Sequence, residues 1–460
     1  MTDTSADTIG LRRTLGFTDL VMLTVGTVIG SGIFLVPSVV LRHTGGQTGP
    51  AMLVWVIGGV LSLLGALTYA ELGAMRPEAG GLYVYIRDAF GPLPAFLYGW
   101  TTFFVIASGS LATLAVAFSG YFSQIVPMST GASRVLAVMV ILVTAVINIL
   151  GTRKSATVQN LTTGLKVGAL VILSAGLLLF ADHAKSNVDI WPSAISGSLV
   201  AGFGTAMIGV LWAYEGWQYV TFSAGETRDP QRTFPRAITV AAVVLIVVYL
   251  LANFAYIAAL GPVAASNSEH IAADAGGVLL GPVAARIVAT LILVSIFSAT
   301  NGLMLTAPRM YFAMARDGVF FRSLAKVNPR FGTPALAISA GALWAAVLAV
   351  TGTFEQLLTY VVFAGWIFYA LAGLSVFVYR RREPYAHRPF RVPGYPLTPT
   401  LFVASAGLLV VNTLITQPAR AAVGLAAVFV GTPAFYLWRA SSRRNPIPNG
   451  STEVRDANVV

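Results

Sequence analysis

Cysteine is absent from the 460 residues, which excludes disulfides, thiol chemistry and cysteine-ligated metals. Histidine is scarce: His43, His183, His270 and His387 all fall in expected loops, with no metal-ligand spacing. Charge is scarce as well. Only 10% of residues are charged and 56% are hydrophobic, whereas a soluble domain carries about a quarter charged residues. Such a chain cannot cover its own surface with polar groups, so much of that surface must face lipid. The short alternating segments of a membrane β-barrel are missing, and so is the pore-lining ring or filter of a channel. A membrane enzyme needs a nucleophile–base pair or a metal cluster; without cysteine or an intramembrane histidine the common ones cannot form. No enzyme activity, cofactor or metal is therefore expected.

What the chain does have is long apolar runs. A membrane span needs about 20 mostly apolar residues, and about twelve runs qualify. They lie near 17–41, 51–75, 94–126, 135–150, 157–181, 199–225, 237–261, 278–308, 334–353, 357–380, 398–415 and 420–438. The first is too long for a cleavable signal peptide and lacks its small-residue cleavage site, so none is expected. The expected fold class is an all-α membrane protein with about twelve transmembrane helices. Placement explains the net charge of +11. With the N-terminus inside, 23 Lys/Arg fall in cytoplasmic segments and five outside, with Lys166 within a span. That positive-inside bias places both termini in the cytoplasm, across a plasma (inner) membrane, and removes the need for a nucleic-acid partner. Arg380, Arg381 and Arg382 are a topology signal first, with anionic lipid as a secondary reading.

The expected organisation is a single membrane domain at 16–440, between a cytoplasmic tail at 1–15 and a disordered cytoplasmic tail at 441–460. Within it a weak symmetry relates 17–181 to 197–381, leaving two further helices at 397–438. Five spans in each half put the halves in opposite orientations, the inverted repeat of many secondary transporters. The first span of each half is interrupted at a matching depth. Span 1 carries GSG at 30–32, and span 6 carries AYEG at 213–216, flanked by Trp212 and Trp217. Unwound backbone is tolerated at this depth only where protein or a water-filled cavity takes its polar groups. A break at GSG frees N–H groups at the positive end of the outer half-helix, which suit a carboxylate. The free C=O groups ending the inner half-helix suit an ammonium or a metal cation. A zwitterion matches both ends at once. Small residues such as Gly26 and Gly30 also permit close helix packing, but paired breaks favour a site.

Longer motifs carry a resemblance. VGTVIGSGIFLVP (25–37), YAELGAMRPEAGGLYVYIRDAFGPLPAFLYGW (69–100), LWAYEGWQYVTFSAGETRDPQRTFPRAI (211–238), NGLMLTAPRMYFAMARDGVFFRSLAKVNPRFGTPALA (301–337) and HRPFRVPGYP (387–396) carry it. They resemble the amino acid–polyamine–organocation (APC) superfamily permeases, and within them the L-type amino acid transporters. The likeness runs from about residue 15 to 438. It implies a leucine-transporter-like fold of five-plus-five inverted repeats with two further helices, and amino acid transport by alternating access. It implies that the N–H groups of Ser31 and Gly32, with Gly30 beside them, hold the substrate carboxylate, and that carbonyls of Val28, Trp212 and Glu215 receive the α-amino group. Trp212 stands where an aromatic lid covers the substrate, in a break that also contains Tyr214 and Gly216. Lys166 stands where sodium-coupled relatives hold a sodium ion; it would tie the inner half of helix 1 to helices 5 and 8, near Ser298 and Thr300. Animal members pair with a glycoprotein through a disulfide, which a chain without cysteine cannot form. The expected partners are an amino acid substrate and the lipid bilayer.

The residues leave several roles open. A mid-membrane lysine costs at least ~2.5–3.5 kcal/mol on insertion scales and is a functional residue by default. Lys166 lies about ten residues, or about 15 Å along a helix, from the cytoplasmic end, which is long for snorkelling. Glu215 either caps its half-helix or offsets the second charge of a cationic amino acid. Asp19 reads as a cap at the start of span 1. Glu71 and Glu226 read as anchors of arginine-rich cytoplasmic loops; Glu226 with Arg228, Arg232 and Arg236 forms either a gate network or a solvated charge cluster. Asn301 either hydrogen-bonds across helices or borders the site. The expected function is sodium-independent amino acid transport, with exchange of neutral L-amino acids as the main reading. Proton-coupled symport through Lys166 and an amino-acid-sensing receptor are its rivals.

Overall fold

In lipid a helix is the one open-ended element whose backbone polar groups are satisfied within itself. The computed structural model describes residues 11–181, 190–351, 354–416 and 418–444. Among them are seventeen α-helices and no strand, apart from one isolated bridge between Leu15 and Thr227. Of the expected tails, 1–10 and 445–460 fall outside the described residues, as does His183.

The first expected span consists of α1 (Phe17–Val28) and α2 (Gly32–His43), bent by 48° across the break. α3 (Thr48–Met75) is the second, followed by the short α4 (Leu82–Phe90) in its loop. The third is α5 (Pro92–Thr101), one π turn at Thr102–Ile106, and α6 (Ala107–Ile125). α7 (Thr130–Ile149) and α8 (Thr152–Phe180) are the fourth and fifth. The sixth is broken into α9 (Gly197–Ala213) and a 3₁₀ segment, Trp217–Glu226. α10 (Pro230–Leu260) is the seventh; α11 (Pro262–Asn267) and α12 (Ile271–Leu280) occupy the loop beyond it. α13 (Ala284–Arg316), α14 (Ala335–Thr351), α15 (Phe354–Arg382), α16 (Leu397–Thr416) and α17 (Pro418–Arg444) complete the order. Several starts follow from proline at the first helical position, at Pro92, Pro230 and Pro262, where no intrahelical N–H is needed.

Ten helical stretches among the described residues are long and apolar enough to cross a membrane, and the bent α1–α2 pair makes eleven. α14 is apolar but has 17 residues, about 25 Å of helix; the expected twelve requires it to cross as well. Several boundaries differ from expectation: α7, α8 and α10 start five to seven residues early, at Thr130, Thr152 and Pro230. The eighth span begins at Ala284 rather than 278, because a 3₁₀ turn at Gly281–Val283 separates it from α12, and it continues to Arg316. α17 runs on to Arg444, past the expected start of the tail at 441. The 1–15 tail is docked at its end: Leu15 is fully buried, and the N–H groups of Thr14 and Leu15 both donate to Glu226 O.

α8 illustrates how lipid inverts amphipathicity. Thr152, Ser155, Gln159, Thr163 and Lys166 recur at three- and four-residue spacing on one buried face. Leu161, Leu165, Ile172 and Leu179 are exposed on the other. α3 packs along α10, α1 against α8, α10 and α13, and α2 against α9. These pairings bring the two broken spans together in the interior.

Candidate functional site

The break between α1 and α2 leaves backbone groups of both signs without helical partners. Ser31 precedes α2 as its N-cap but makes no side-chain capping bond. Among the described residues, none of the N–H groups of Gly30, Ser31, Gly32 and Ile33 donates to a protein acceptor. These donors stand at the positive end of α2, where an anion is stabilised.

The other side of the break is the negative end of α1, and a cation already caps it. Lys166 Nζ donates to Ile29 O at 2.5 Å, Gly26 O at 2.6 Å and Ser295 O at 3.3 Å. Ser295 Oγ adds bonds to Ile29 O (2.9 Å) and Gly30 O (3.0 Å). The lysine is 1% exposed, and no carboxylate is paired with it among the described residues. The expected α13 partners of Lys166, Ser298 and Thr300, are not the ones observed. Ser298 bonds to Gln159 and Thr163, and Thr300 turns back to Ile296 O. Ser295 stands one helical turn nearer the break and supplies the contact instead.

In the second broken span, Gly216 has φ 125°, a left-handed conformation that a residue with a Cβ rarely adopts. Its N–H donates to Gln218 Oε1, and Glu215 N–H to Trp212 O. Tyr249, from α10, donates its hydroxyl to Ala213 O at 2.9 Å and to Val28 O at 3.3 Å, stitching the two breaks together. Two expected ammonium acceptors, Val28 O and Trp212 O, thus each already accept one hydrogen bond; a carbonyl has two lone pairs.

Between the breaks lies a cavity of about 80 Å³. Thr27, Val28, Gly30, Ser31 and Gly32 line it from the first break, and Trp212, Ala213, Glu215 and Gly216 from the second. Ser110, Thr113 and Leu114 of α6, Tyr219, and Ala299 and Leu303 of α13 complete the wall. The expected residues Val28, Gly30, Ser31, Gly32, Trp212, Glu215 and Gly216 are therefore gathered on one small space. Tyr214 is not among them. Its ring packs edge-on against Trp55 and beside Tyr249, away from the cavity. Asn301 is not there either. It is fully buried in a polar cluster, accepting from Asn148 (3.0 Å) and donating to Gln159 Oε1 (2.9 Å). Of its two roles, the structure contains the cross-helix hydrogen bonds.

Glu215 faces the cavity with one oxygen satisfied and one not. Oε1 accepts from Tyr369 OH at 2.9 Å and more distantly from Gln218 Nε2 at 3.5 Å. Oε2 is enclosed without any partner. An unpaired buried acceptor costs about 1–3 kcal/mol.

Below the cavity, the polar face of α8 continues to the end of the membrane domain. There Glu226 and Arg309, both fully buried, form an ion pair at 2.5 Å, and Thr152 Oγ1 donates to Glu226 Oε1 at 2.7 Å. This corrects the expected grouping of Glu226 with Arg228, Arg232 and Arg236: its partner comes from α13, where Pro308 does not end the helix. Asp19 caps α1 by accepting from Gly16 N–H, and also receives Arg153 (2.6 Å) and Asn160 (2.7 Å) from α8. Glu71 anchors an arginine-rich loop, accepting from Arg380 at 2.6 and 2.9 Å.

Sequence reasoning missed Ser295, Tyr249, Ser110, Thr113, Tyr219 and Arg309. The repeat of polar residues along α8 was a readable signal for the buried seam. Nothing comparable marked Tyr249, one of four aromatics in α10.

Two discontinuous helices around a small cavity, with unpaired N–H groups at one end, are the arrangement in which secondary transporters hold their substrates. The chain belongs to the amino acid permease family, whose sequence model matches residues 15–435. It is similar to the serine/threonine exchanger SteT of Bacillus subtilis (strain 168), 31% identical over 430 residues, covering 93% of this chain and 97% of the relative. It is 33% identical over 420 residues to b(0,+)-type amino acid transporter 1 of Homo sapiens, covering 89% and 84% of the two chains. Asc-type amino acid transporter 1 of Homo sapiens is 32% identical over 456 residues, with 95% and 85% covered.

Proposed function

We propose that this protein exchanges neutral L-amino acids across a plasma membrane by alternating access, without sodium and without a chemical step. The halves 17–181 and 197–381 act as inverted repeats around the cavity, with both termini cytoplasmic. One observation carries the reading: a lysine ammonium already occupies the carbonyl end of α1, while the N–H end of α2 is free. The free donors receive the substrate carboxylate. Carbonyls at the two breaks receive its ammonium, and Trp212 closes over it. Lys166 supplies the positive charge that a bound sodium ion would otherwise provide at the helix end, and so removes the need for one. Short side chains fit best, since the cavity between the breaks has a volume of only about 80 Å³. The names of two of the relatives, a serine/threonine exchanger and a b(0,+)-type amino acid transporter, support an amino acid cargo.

Proteoliposomes test this directly. Uptake of a labelled amino acid should require unlabelled amino acid inside and should be unchanged when choline replaces sodium. Uptake into empty vesicles driven by a proton gradient would instead establish the symporter, and binding without any flux would establish a receptor.

The unpaired Glu215 Oε2 favours a second reading, in which cationic amino acids are also carried. A substrate ammonium or guanidinium at this oxygen supplies the missing partner. Glu215→Gln should then weaken cationic substrates selectively, by about 5- to 150-fold for the loss of ~1–3 kcal/mol. An equal loss for neutral and cationic substrates would leave Glu215 as a structural cap.

A further inference from the structure

The segment between α15 and α16 builds a basic pocket that shares no residue with the cavity between the breaks. Arg380, Pro384, Arg388 and Arg391 line a space of about 170 Å³. Arg388 is fixed from four sides: its guanidinium donates to the carbonyls of Pro384, Ala386, Tyr379 and Glu383. Its Nε is enclosed without a hydrogen-bond partner, 3.6 Å from Glu71 Oε1. The Arg380 guanidinium lies over the Tyr395 ring, its Cζ 3.9 Å from the centroid, and donates Nε and Nη2 to Glu71. Arg391 is exposed and has no ion-pair partner among the described residues. Three guanidinium groups thus face one carboxylate, since the neighbouring Glu383 is taken by Arg76 at 2.7 Å. The pocket is left with an excess positive charge of about two, and two of its arginines are held rigidly.

Its surroundings are those of a membrane interface. Tyr385, next to Pro384, is 99% exposed, and an aromatic with no protein neighbour suits the headgroup layer. The loop leads directly into α16, whose first turns expose Leu397 and Leu401. A bound anion with an apolar tail would have its charge in the pocket and its chain along these leucines.

We propose that this pocket binds the phosphodiester group of an anionic phospholipid. The four Nη hydrogens of Arg388 are taken by carbonyls and its Nε is enclosed, so Arg388 contributes charge; the donors to a phosphate oxygen are those of Arg391 and Nη1 of Arg380, and the lipid headgroup is its source. The site is independent of the transported substrate. Arg391 is the residue to change, because Arg388 also holds the loop together. The full chain, purified in an uncharged detergent, is titrated with phosphatidylglycerol, phosphatidylcholine or inorganic phosphate while thermal unfolding is followed. Phosphatidylglycerol should raise the melting temperature and phosphatidylcholine should not. Arg391→Gln should weaken the apparent affinity for phosphatidylglycerol about 5-fold, the expectation for one arginine at an anionic surface. Arg381→Gln makes the same charge change on an exposed residue outside the pocket and should leave the affinity unchanged. Equal effects of the two variants would overturn the proposal in favour of diffuse charge. A shift with inorganic phosphate equal to that with the lipid, and equally sensitive to Arg391→Gln, would overturn the lipid as source. No shift with phosphatidylglycerol would overturn it entirely.

Discussion

A single methyl group at Gly30 tests whether the cavity between the breaks is the substrate site. Gly30 is buried, yet a Cβ built on it meets only one atom within 4 Å, Leu114 Cδ2 at 3.8 Å, an ordinary van der Waals distance. Around a buried backbone such open space can only be the cavity, and Leu114 is itself part of the cavity wall. The backbone at Gly30 has no positive φ, so alanine is tolerated, and the entropy it removes from the unfolded chain is worth about 0.4–1 kcal/mol of added stability. Gly30→Ala should therefore fold at least as well as the native chain. Its methyl takes space that a substrate carboxylate bonded to the adjacent N–H groups must use. An overpacked contact costs about 1–3 kcal/mol, which is about 5- to 150-fold in Kd.

Gly32 supplies the contrast. There a Cβ would stand 3.0 Å from Ala213 Cβ and 3.1 Å from Ala213 Cα. Backbone cannot give way, so Gly32→Ala must shift α2 against α9 and should lower the melting temperature as well as the affinity. Calorimetric titration of the purified proteins with their best amino acid substrate, beside thermal unfolding, separates the two effects. If Gly30→Ala binds as tightly as the native protein at an undiminished melting temperature, the substrate does not lie where the free N–H groups point.

Lys166→Met removes charged hydrogen bonds worth about 1.5–3 kcal/mol each from the end of α1. It should cut exchange in proteoliposomes about tenfold or more while changing substrate Kd less, because the ammonium holds a helix end rather than the substrate. Equal losses in both would place Lys166 in the binding site. Glu226→Ala strands a fully buried guanidinium and should destabilise by about 3–5 kcal/mol, seen as a lowered melting temperature or loss of monodisperse protein. The double variant Glu226→Leu, Arg309→Met should recover most of that loss, and a double variant as unstable as the single would show that the ion pair is not the source of the cost.

The helices were legible because lipid leaves the backbone so few alternatives. Apolar length alone located all the long spans, and the two breaks were visible as polar or glycine-rich interruptions at matching places. Seven of the nine residues expected around the substrate line the cavity. Tyr214 and Asn301 do not, for one shared reason. A residue's place along a helix gives its depth but not its azimuth, and both point into the protein rather than into the space between the breaks. Lys166 was found because a lone charge in a span is costly wherever it points. Arg309 was not, since Pro308 reads as a helix end while α13 continues through it to Arg316. Its buried position follows from Glu226 lying opposite, a tertiary fact with no local trace.

Under the proposed alternation of access α1 has to part from α8, and the character of its contacts suits it to that. Asp19 is held by Arg153 and Asn160, Met22 O by Thr163, and Gly26 O and Ile29 O by Lys166. All four of these partners come from α8. Gly26 brings the two helices so close that an added Cβ would strike Gln159 and Thr163. An apolar interface exposed to water loses about 25 cal/mol for every Å². A polar one exchanges each bond for a bond to water, at a net loss of about 0.5–1.5 kcal/mol. A helix that must leave its neighbour in every transport cycle, and let water into the gap, is therefore better attached by hydroxyls, amides and one ammonium than by leucines. On the opposite side α8 presents leucine and isoleucine to lipid, where nothing has to open. The same helix thus carries a fixed apolar face toward the bilayer and a separable polar face toward α1, and the proposed alternation of access requires that division.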